Sequence, residues 1–301
     1  MSAAHYEVII IGGSYSGLSA AMALGRSLRK VLVIDSGKPC NEQTPHSHNF
    51  LTQDGKSPKE IVSLAKKQVE EYETITFYHG KAIDSKKVEN GFEITTAKGE
   101  TLTSKKLILA TGITDEIPEI KGFEECWGIS LIHCPYCHGY EYKGKKTGII
   151  ANGDKAVHIA SLVKNLTDDV TVITKGKGKF TEEQLQKLKN NKIEIIESGI
   201  SELKHQNGIV ESIIFSDGEE VKFEAVYGAF PFKQHSEIPK QLGCEFTEFG
   251  HIKVDFMQKT NIPGVFGCGD NSSMMRSVSN AVMTGNVAGA MVNMELVTDC
   301  F

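Results

Sequence analysis

The sequence predicts an α/β fold in which one βαβ unit is used twice, the second copy lying inside the first. Three observations carry this reading. Val8 to Ile11, a short apolar run, and Thr147 to Ile150, a short strand pattern, each lead into a glycine-containing turn and a helical pattern. A second such run comes after each helix, Val31 to Ile34 in the first copy and Val170 to Ile173 in the second. The interval from Gly12 to Asp35 equals the interval from Ala151 to Thr174, and the tails DSGK and TKGK also match. Matched spacing in two separate units is far harder to reach by chance than one glycine motif.

The elements can be taken in chain order. The runs are continuously apolar rather than alternating, as suits parallel strands covered on both faces. GGSYSG opens the first helix, LSAAMALGRSL, and the next strand ends at Asp35. Phe77 to Thr103 alternates around turns at Glu89-Asn90-Gly91 and Lys98-Gly99, the pattern of hairpins. In the second copy ANGDKA is the turn and VHIASLVKNL the helix, and Ile209 to Phe223 forms a hairpin around Asp217-Gly218. VFGCGD and a long helix from about Ser273 to Leu296 come last, and belong to the first copy. The fold is thus expected to be two Rossmann-like, three-layer nucleotide-binding domains, the second inserted into the first. The outer domain would hold residues 1–114 and 233–301, the inner residues 115–232.

Composition narrows the function classes. The chain has 301 residues, enough for two domains with cores of their own, and a formal net charge of -5, which is no footprint for nucleic acid. No apolar run is long enough for a bilayer, so no membrane partner is expected. The stretch MSAAHYEVIII lacks a basic n-region and runs straight into a glycine turn, so it reads as a first strand and the expected location is cytoplasmic. Seven cysteines in a reducing compartment do not imply a disulfide framework. Cys40, Cys126, Cys244, Cys268 and Cys300 are scattered. Cys134 and Cys137 alone stand at a spacing that carries chemistry.

A glycine turn after a first strand lets a pyrophosphate approach the main chain at a helix N-terminus, where amide donors and the helix dipole favour negative charge. Gly12, Ser14 and Gly17 take the three fingerprint positions, and Asp35 is placed to accept from a ribose diol. HCPYCHGYE, His133 to Glu141, is the catalytic candidate: a CxxC at a helix start brings two sulfurs within bonding reach and lowers a thiol pKa. His138 comes directly after it, and imidazole exchanges protons near neutral pH. CxxCH is also a haem attachment signal, but that chemistry belongs outside the cytoplasm. Zinc would need ligands from two separated knuckles, whereas His133, Cys134, Cys137 and His138 all come from one helix end, so no metal is expected. His46 and His48 form an HxH that would line a cofactor, solvate a loop, or act as a second acid or base.

Taken together, the N-terminal fingerprint, LILATG at Leu107 to Gly112 and TNIPGVFGCGD at Thr260 to Asp270 resemble the thioredoxin reductase family of FAD-dependent disulfide oxidoreductases, over nearly the whole chain. With His138 where thioredoxin reductases carry an acid, CPYCHGYE more closely resembles the branch that includes gliotoxin- and holomycin-type dithiol oxidases. The resemblance implies FAD held by Gly12, Gly13, Ser14, Tyr15, Ser16 and Gly17, with Asp35 and Ser36 at the ribose. It adds Ala82, Thr111 and Gly112, Gly269 with Asp270 on the ribityl chain, and Arg276, Ser277 and Val278 at the flavin ring. QTPHSHNF matches a loop that runs along the flavin, with Gln43 and Asn49 as contacts. Cys137 would be the flavin-side sulfur, Cys134 the outer one that meets a thioredoxin-like protein or a small-molecule disulfide or dithiol, and the enzyme would be a homodimer.

The second turn departs from the family. Its fingerprint reads Ala151, Gly153, Ala156, and Ala151 should hamper a turn that needs unusual dihedrals. NADPH would meet Gly153, Asp154, Lys155, Ala156 and Lys175, with lysines near Lys175 in place of the arginine grip on a 2′-phosphate. Three readings are open: a reductase fed by NADPH, a flavin-dependent dithiol oxidase or enzyme with another donor such as ferredoxin, and a flavoprotein that reports redox state without turnover.

Overall fold

The computed structural model describes residues 5–301, so Met1 to Ala4, read above as the lead-in to the first strand, lie outside the described residues. The chain forms two compact units. One holds the residues up to Glu42, then Lys56–Thr114 and Phe232–Phe301; the other holds Gln43–Gly55 and Asp115–Pro231.

In the first unit the apolar runs become the centre of a parallel sheet. His5–Ile11 pairs with Val31–Asp35 on one side and Thr101–Leu109 on the other, with Ile11 opposite Ile34 and Leu109. Ile75–His79 and Val265–Gly267 extend it in parallel. Gly91–Thr96 and Ala82–Val88 add antiparallel strands beyond Thr101–Leu109. Val8 and Ile10 face one core with Leu18, Leu24, Phe266 and Val292, whereas Ile9 and Ile11 face the other with Phe92, Leu107 and Ile252. That two-sided burial is why the runs lack polar alternation. Phe77 belongs to a parallel strand rather than to the hairpins, because Val33 sits opposite it in register.

All these parallel strands point their carboxyl ends to one edge, where the chain must turn into the Tyr15–Arg26 helix. That helix packs on Val278–Thr298 through missing side chains: a Cβ on Gly285 would run into the Ser16 carbonyl, and one on Gly289 into that of Ala20. The long helix begins at Val278 rather than near Ser273, because the Ser277 hydroxyl accepts from Asn280 N at 3.2 Å and caps it.

In the second unit Glu194–Ile196, Val170–Ile173, Thr147–Ile150, Ala225–Gly228 and Leu131–Ile132 form a parallel sheet in that order. Ile200–Gln206, Ile209–Phe215 and Glu220–Lys222 form a separate antiparallel sheet around the Asp217-Gly218 turn. The Gly153–Val163 helix buries Ala156, Ile159, Ala160 and Val163 against the parallel sheet.

Gly285→Ala tests the helix seam. In an exposed helix this change gains stability through propensity, by up to about 1 kcal/mol. Here the new methyl meets main chain, so overpacking of about 1–3 kcal/mol should dominate and lower the apparent thermal midpoint. A raised midpoint would contradict the seam.

Candidate functional site

The first unit gathers most of the residues singled out by sequence at the carboxyl edge of its parallel strands. Gly12 has φ +107, and a Cβ there would strike the main chain of Ala110. Gly13 N donates to Asp35 Oδ1 at 3.1 Å, and a Cβ on Gly13 would lie 2.7 Å from that of Asp35. A Cβ on Gly17 would run into Gly12 O, so the turn and helix start are as close as main chain allows. Ser14 is the N-cap of the Tyr15–Arg26 helix, yet its side chain accepts no capping hydrogen bond. No acidic residue stands in the first turn. A helix start left without a side-chain acceptor, with the dipole's positive end, suits a phosphate group.

The rest of the rim is tied to this turn. Gly269, at φ +85, would meet the Ser16 hydroxyl if it carried a Cβ, and its N–H donates to Thr284 Oγ1 at 3.0 Å. Asp270 Oδ2 lies 3.8 Å from Arg276 Nε, and Ser277 with Val278 starts the last helix. Thr111 receives a hydrogen bond from Asn271 Nδ2 at 3.2 Å, next to Gly112 at φ +65. Asn271 was not singled out by sequence. It is fully buried, its Nδ2 also holds Leu109 O at 2.8 Å, and its Oδ1 has no partner among the described residues. Tyr15 is buried with its hydroxyl 3.4 Å from Asn41 Nδ2, Ser36 directly follows Asp35, and Ala82 is buried at the start of an edge strand. Gln43 and Asn49 lie in the Gln43–Gly55 segment, which belongs to the second unit.

In that second unit Cys134 and Cys137 form a disulfide, with Cα atoms 5.3 Å apart. The helix is a single turn, Pro135–His138, with Cys134 as N-cap in extended conformation and Pro135 at N1, where its fixed φ suits a helix start. Gly139 closes the turn on Pro135 O at 2.9 Å, and a Cβ there would strike that carbonyl and the Leu166 side chain. The remaining thiols differ in kind. Burial pushes Cys126 up to about 11 and Cys268 up to about 12, and raises Cys244, so these stay protonated and inert.

His138 ends the same turn. Both ring nitrogens are shielded from solvent without a hydrogen bond of good geometry among the described residues. Burial lowers its pKa below the ordinary histidine value, a charge on His48 adds to that, and Glu141 and the His46 main chain oppose it. The neutral imidazole is therefore the resting form at pH 7. His48 stands T-shaped to His138 with ring centroids 6.5 Å apart. Its Nδ1 lies 3.6 Å from Asp54 Oδ2 and its Nε2 lies 3.6 Å from Glu141 Oε1. His46 Nδ1 contacts Gly55 O at 3.0 Å and so closes the loop. Sequence flagged the HxH, but Asp54 carried no signal and Glu141 entered only as the end of the CxxC string. Among the described residues no group of three His, Cys, Asp or Glu side chains is set to hold a metal ion.

The second βαβ turn is built differently from the first. Ala151 does not take a left-handed φ; Gly153 does, at φ +57. The expected strain at Ala151 is therefore absent, because the turn takes another path. Asn152 is the N-cap, and its Oδ1 accepts from Gly153 N at 2.9 Å and from Lys179 N at 2.7 Å. Asn152 Nδ2 donates to Lys177 O at 3.1 Å, and Gly178 N donates to Glu197 Oε1 at 2.6 Å. Asp154 accepts from Gln184 Nε2 at 2.6 Å, Lys155 is exposed and Ala156 is buried. Lys175 sits at φ +55 with its ammonium 5.8 Å from the Phe230 ring centroid, and burial lowers its pKa.

A family model for pyridine nucleotide-disulphide oxidoreductases matches residues 6–285. Thioredoxin reductase tcpT of Claviceps purpurea is 33% identical over 306 residues, covering 97% of this chain and 95% of that protein. Thioredoxin reductase aclD of Aspergillus oryzae is 30% identical over 311 residues, 99% of each chain. The crystal structure of an oxidoreductase from Agrobacterium tumefaciens superposes with a TM-score of 0.91 at 36% identity, covering 98% of this chain and 99% of that one.

The shielded imidazole sets a pH dependence. Reduction of Cys134–Cys137 by dithiothreitol needs a base for the attacking thiol, a role that a neutral His138 would fill. Because its pKa is lowered, the rate should hold as pH falls to the ordinary histidine value and drop only below it. His138→Asn should slow the reaction at pH 7 by about a hundredfold. Quenched alkylation of the freed thiols measures both; an unchanged rate in the variant would remove His138 from the chemistry.

Proposed function

Because the chain belongs to the pyridine nucleotide-disulphide oxidoreductase family, we propose that it passes electrons from NADPH through FAD and the Cys134–Cys137 pair to a protein or small-molecule disulfide, as thioredoxin reductases do. The observation that carries the reading is the disulfide across a single helical turn that ends in a desolvated histidine. The first turn fits FAD: Gly12, Gly13 and the uncapped start at Ser14 would take the pyrophosphate, Asp35 the ribose, Asp270 the ribityl chain, and Arg276 to Val278 the ring. Bound FAD supplies a carrier that takes up or gives two electrons.

The protein's own residues do the sulfur chemistry. With the pair reduced, the Cys134 thiolate attacks a substrate disulfide, a bond forms between Cys134 and one substrate sulfur, and the other substrate sulfur leaves. His138, lying next in sequence to Cys137, takes the proton from the Cys134 thiol and passes it to that leaving thiolate. Cys137 then attacks Cys134, re-forming the disulfide and releasing the second thiol. A dithiol substrate drives the same steps backwards.

A second reading, the dithiol oxidase, is favoured by Asn152. Its carboxamide already caps the Gly153–Val163 helix and pins Lys177 and Lys179, taking up donors that a nucleotide phosphate would need. Anaerobic mixing of the yellow protein with NADPH, NADH or dithiothreitol separates the two. Rapid bleaching by NADPH supports the reductase. Bleaching by dithiothreitol alone, with oxygen uptake on dithiol in air, supports the oxidase. In that case Asn152→Gly should open the turn and raise NADPH-driven bleaching.

We also read the protein as a cytoplasmic homodimer. Thiols at Cys126, Cys244, Cys268 and Cys300 suit a reducing compartment, and Met283, Met294 and Val297 are exposed on the last helix. No helix among the described residues is long and apolar enough to cross a membrane. Sedimentation equilibrium should give twice the chain mass; a single chain mass at micromolar concentration would refute the dimer.

A further inference from the structure

We propose that His48, set between Asp54 and Glu141, is a positioning residue that carries protons between His138 and solvent during thiol–disulfide exchange. The proposal rests on the disulfide reading above and holds for either direction of electron flow.

The need for such a path comes from the chemistry. When a dithiol reduces the pair, one substrate sulfur bonds to Cys134, the Cys134–Cys137 bond breaks, and its electron pair leaves on Cys137 as a thiolate. The second substrate sulfur then displaces Cys134, so the substrate becomes a disulfide, the pair gains two electrons, and the two thiol protons pass to the cysteine thiolates or out to solvent. His138 takes a proton from the attacking thiol, yet both its nitrogens are shielded from solvent. A buried imidazole that cannot discharge works once and then stalls as a cation that burial disfavours.

The geometry supplies the exit. Exposure rises outward, from the shielded His138 nitrogens to His48 at 20%, Glu141 at 37% and Asp54 at 65% of their side chains. The rings stand T-shaped with centroids 6.5 Å apart, a separation at which one bridging water would suffice to pass a proton. Both nitrogens of His48 face carboxylates, Asp54 on one side and Glu141 on the other, so a proton that reaches it has an onward acceptor in each direction.

The loop is built to hold this arrangement. Asp54 uses its second oxygen to accept from Asn49 N at 2.7 Å, and Gly55 N donates to Ser47 O at 2.9 Å. Asn49 and Thr52 sit at φ +59 and +73, which a loosely solvated loop has no reason to impose on residues other than glycine. The titratable groups around His48 are Asp54 and His46 from its own loop and Glu141 and His138 from the CxxC segment.

The test is the rate at which dithiothreitol reduces Cys134–Cys137, read by quenched alkylation of the holoenzyme from pH 5.5 to 9. His48→Ala should slow it by about tenfold at pH 7, and added imidazole should restore most of the loss. His48→Gln, which keeps the volume but cannot titrate, should be as slow as His48→Ala, and Glu141→Gln should shift the pH profile. Wild-type rates in His48→Gln, or a slow His48→Ala that imidazole does not rescue, would reduce His48 to a packing role and overturn the proposal. If the wild-type disulfide itself did not exchange with dithiothreitol, the disulfide reading would fail along with it.

Discussion

The constraint on which the first unit depends is how closely main chain can approach main chain at the carboxyl edge of its parallel sheet. The chain leaves a strand buried on both faces and must enter a helix at once, so Gly12 adopts φ +107 against Ala110 and Gly17 lies directly on Gly12 O. Nothing larger than hydrogen fits at either position. The same closeness leaves the helix start bare, because Ser14 does not cap it. Unsatisfied amide donors and a helix dipole then remain for a phosphate, and the Asp35 carboxylate that receives Gly13 N is held at the rim.

In the second unit that constraint is relaxed, and the turn loses its bare helix start. Asn152 stands where main chain alone would make the turn, and its side chain satisfies donors from both the helix and the Lys177–Lys179 loop. The sheet and helix are preserved, but the feature that makes a helix start attractive to a phosphate has been used internally. Chemistry in this unit is concentrated instead at the CxxC turn. There burial lowers the pKa of His138, and the Gln43–Gly55 loop belongs to the same unit.

Much of this was legible in the chain itself. Val8 to Ile11 and Val31 to Ile34 are buried strands because continuously apolar runs need cover on both faces. Glycine, serine and aspartate at fixed offsets carried the first turn, because its geometry is local. What failed was non-local. Phe77 reads like part of the hairpins beyond it, and only the pairing with Val33 shows otherwise. The membership of Gln43–Gly55 in the second unit leaves no trace in composition, so His48 and Glu141 could each be named but not their pairing, and Asp54 carried no signal. Asn152 lies between the fingerprint positions, and only its side-chain bonds to Gly153 N and Lys179 N show it to be the helix cap.

The central claim is that Cys134–Cys137 is a redox centre that works with bound FAD rather than a structural cross-link. The most direct measurement is an anaerobic reductive titration of the yellow protein, counting the electrons taken up before the flavin is fully bleached. The wild type should take up twice as many as a Cys134→Ser, Cys137→Ser double variant, because the disulfide and the flavin each accept a pair. Equal uptake by the two proteins would contradict the account.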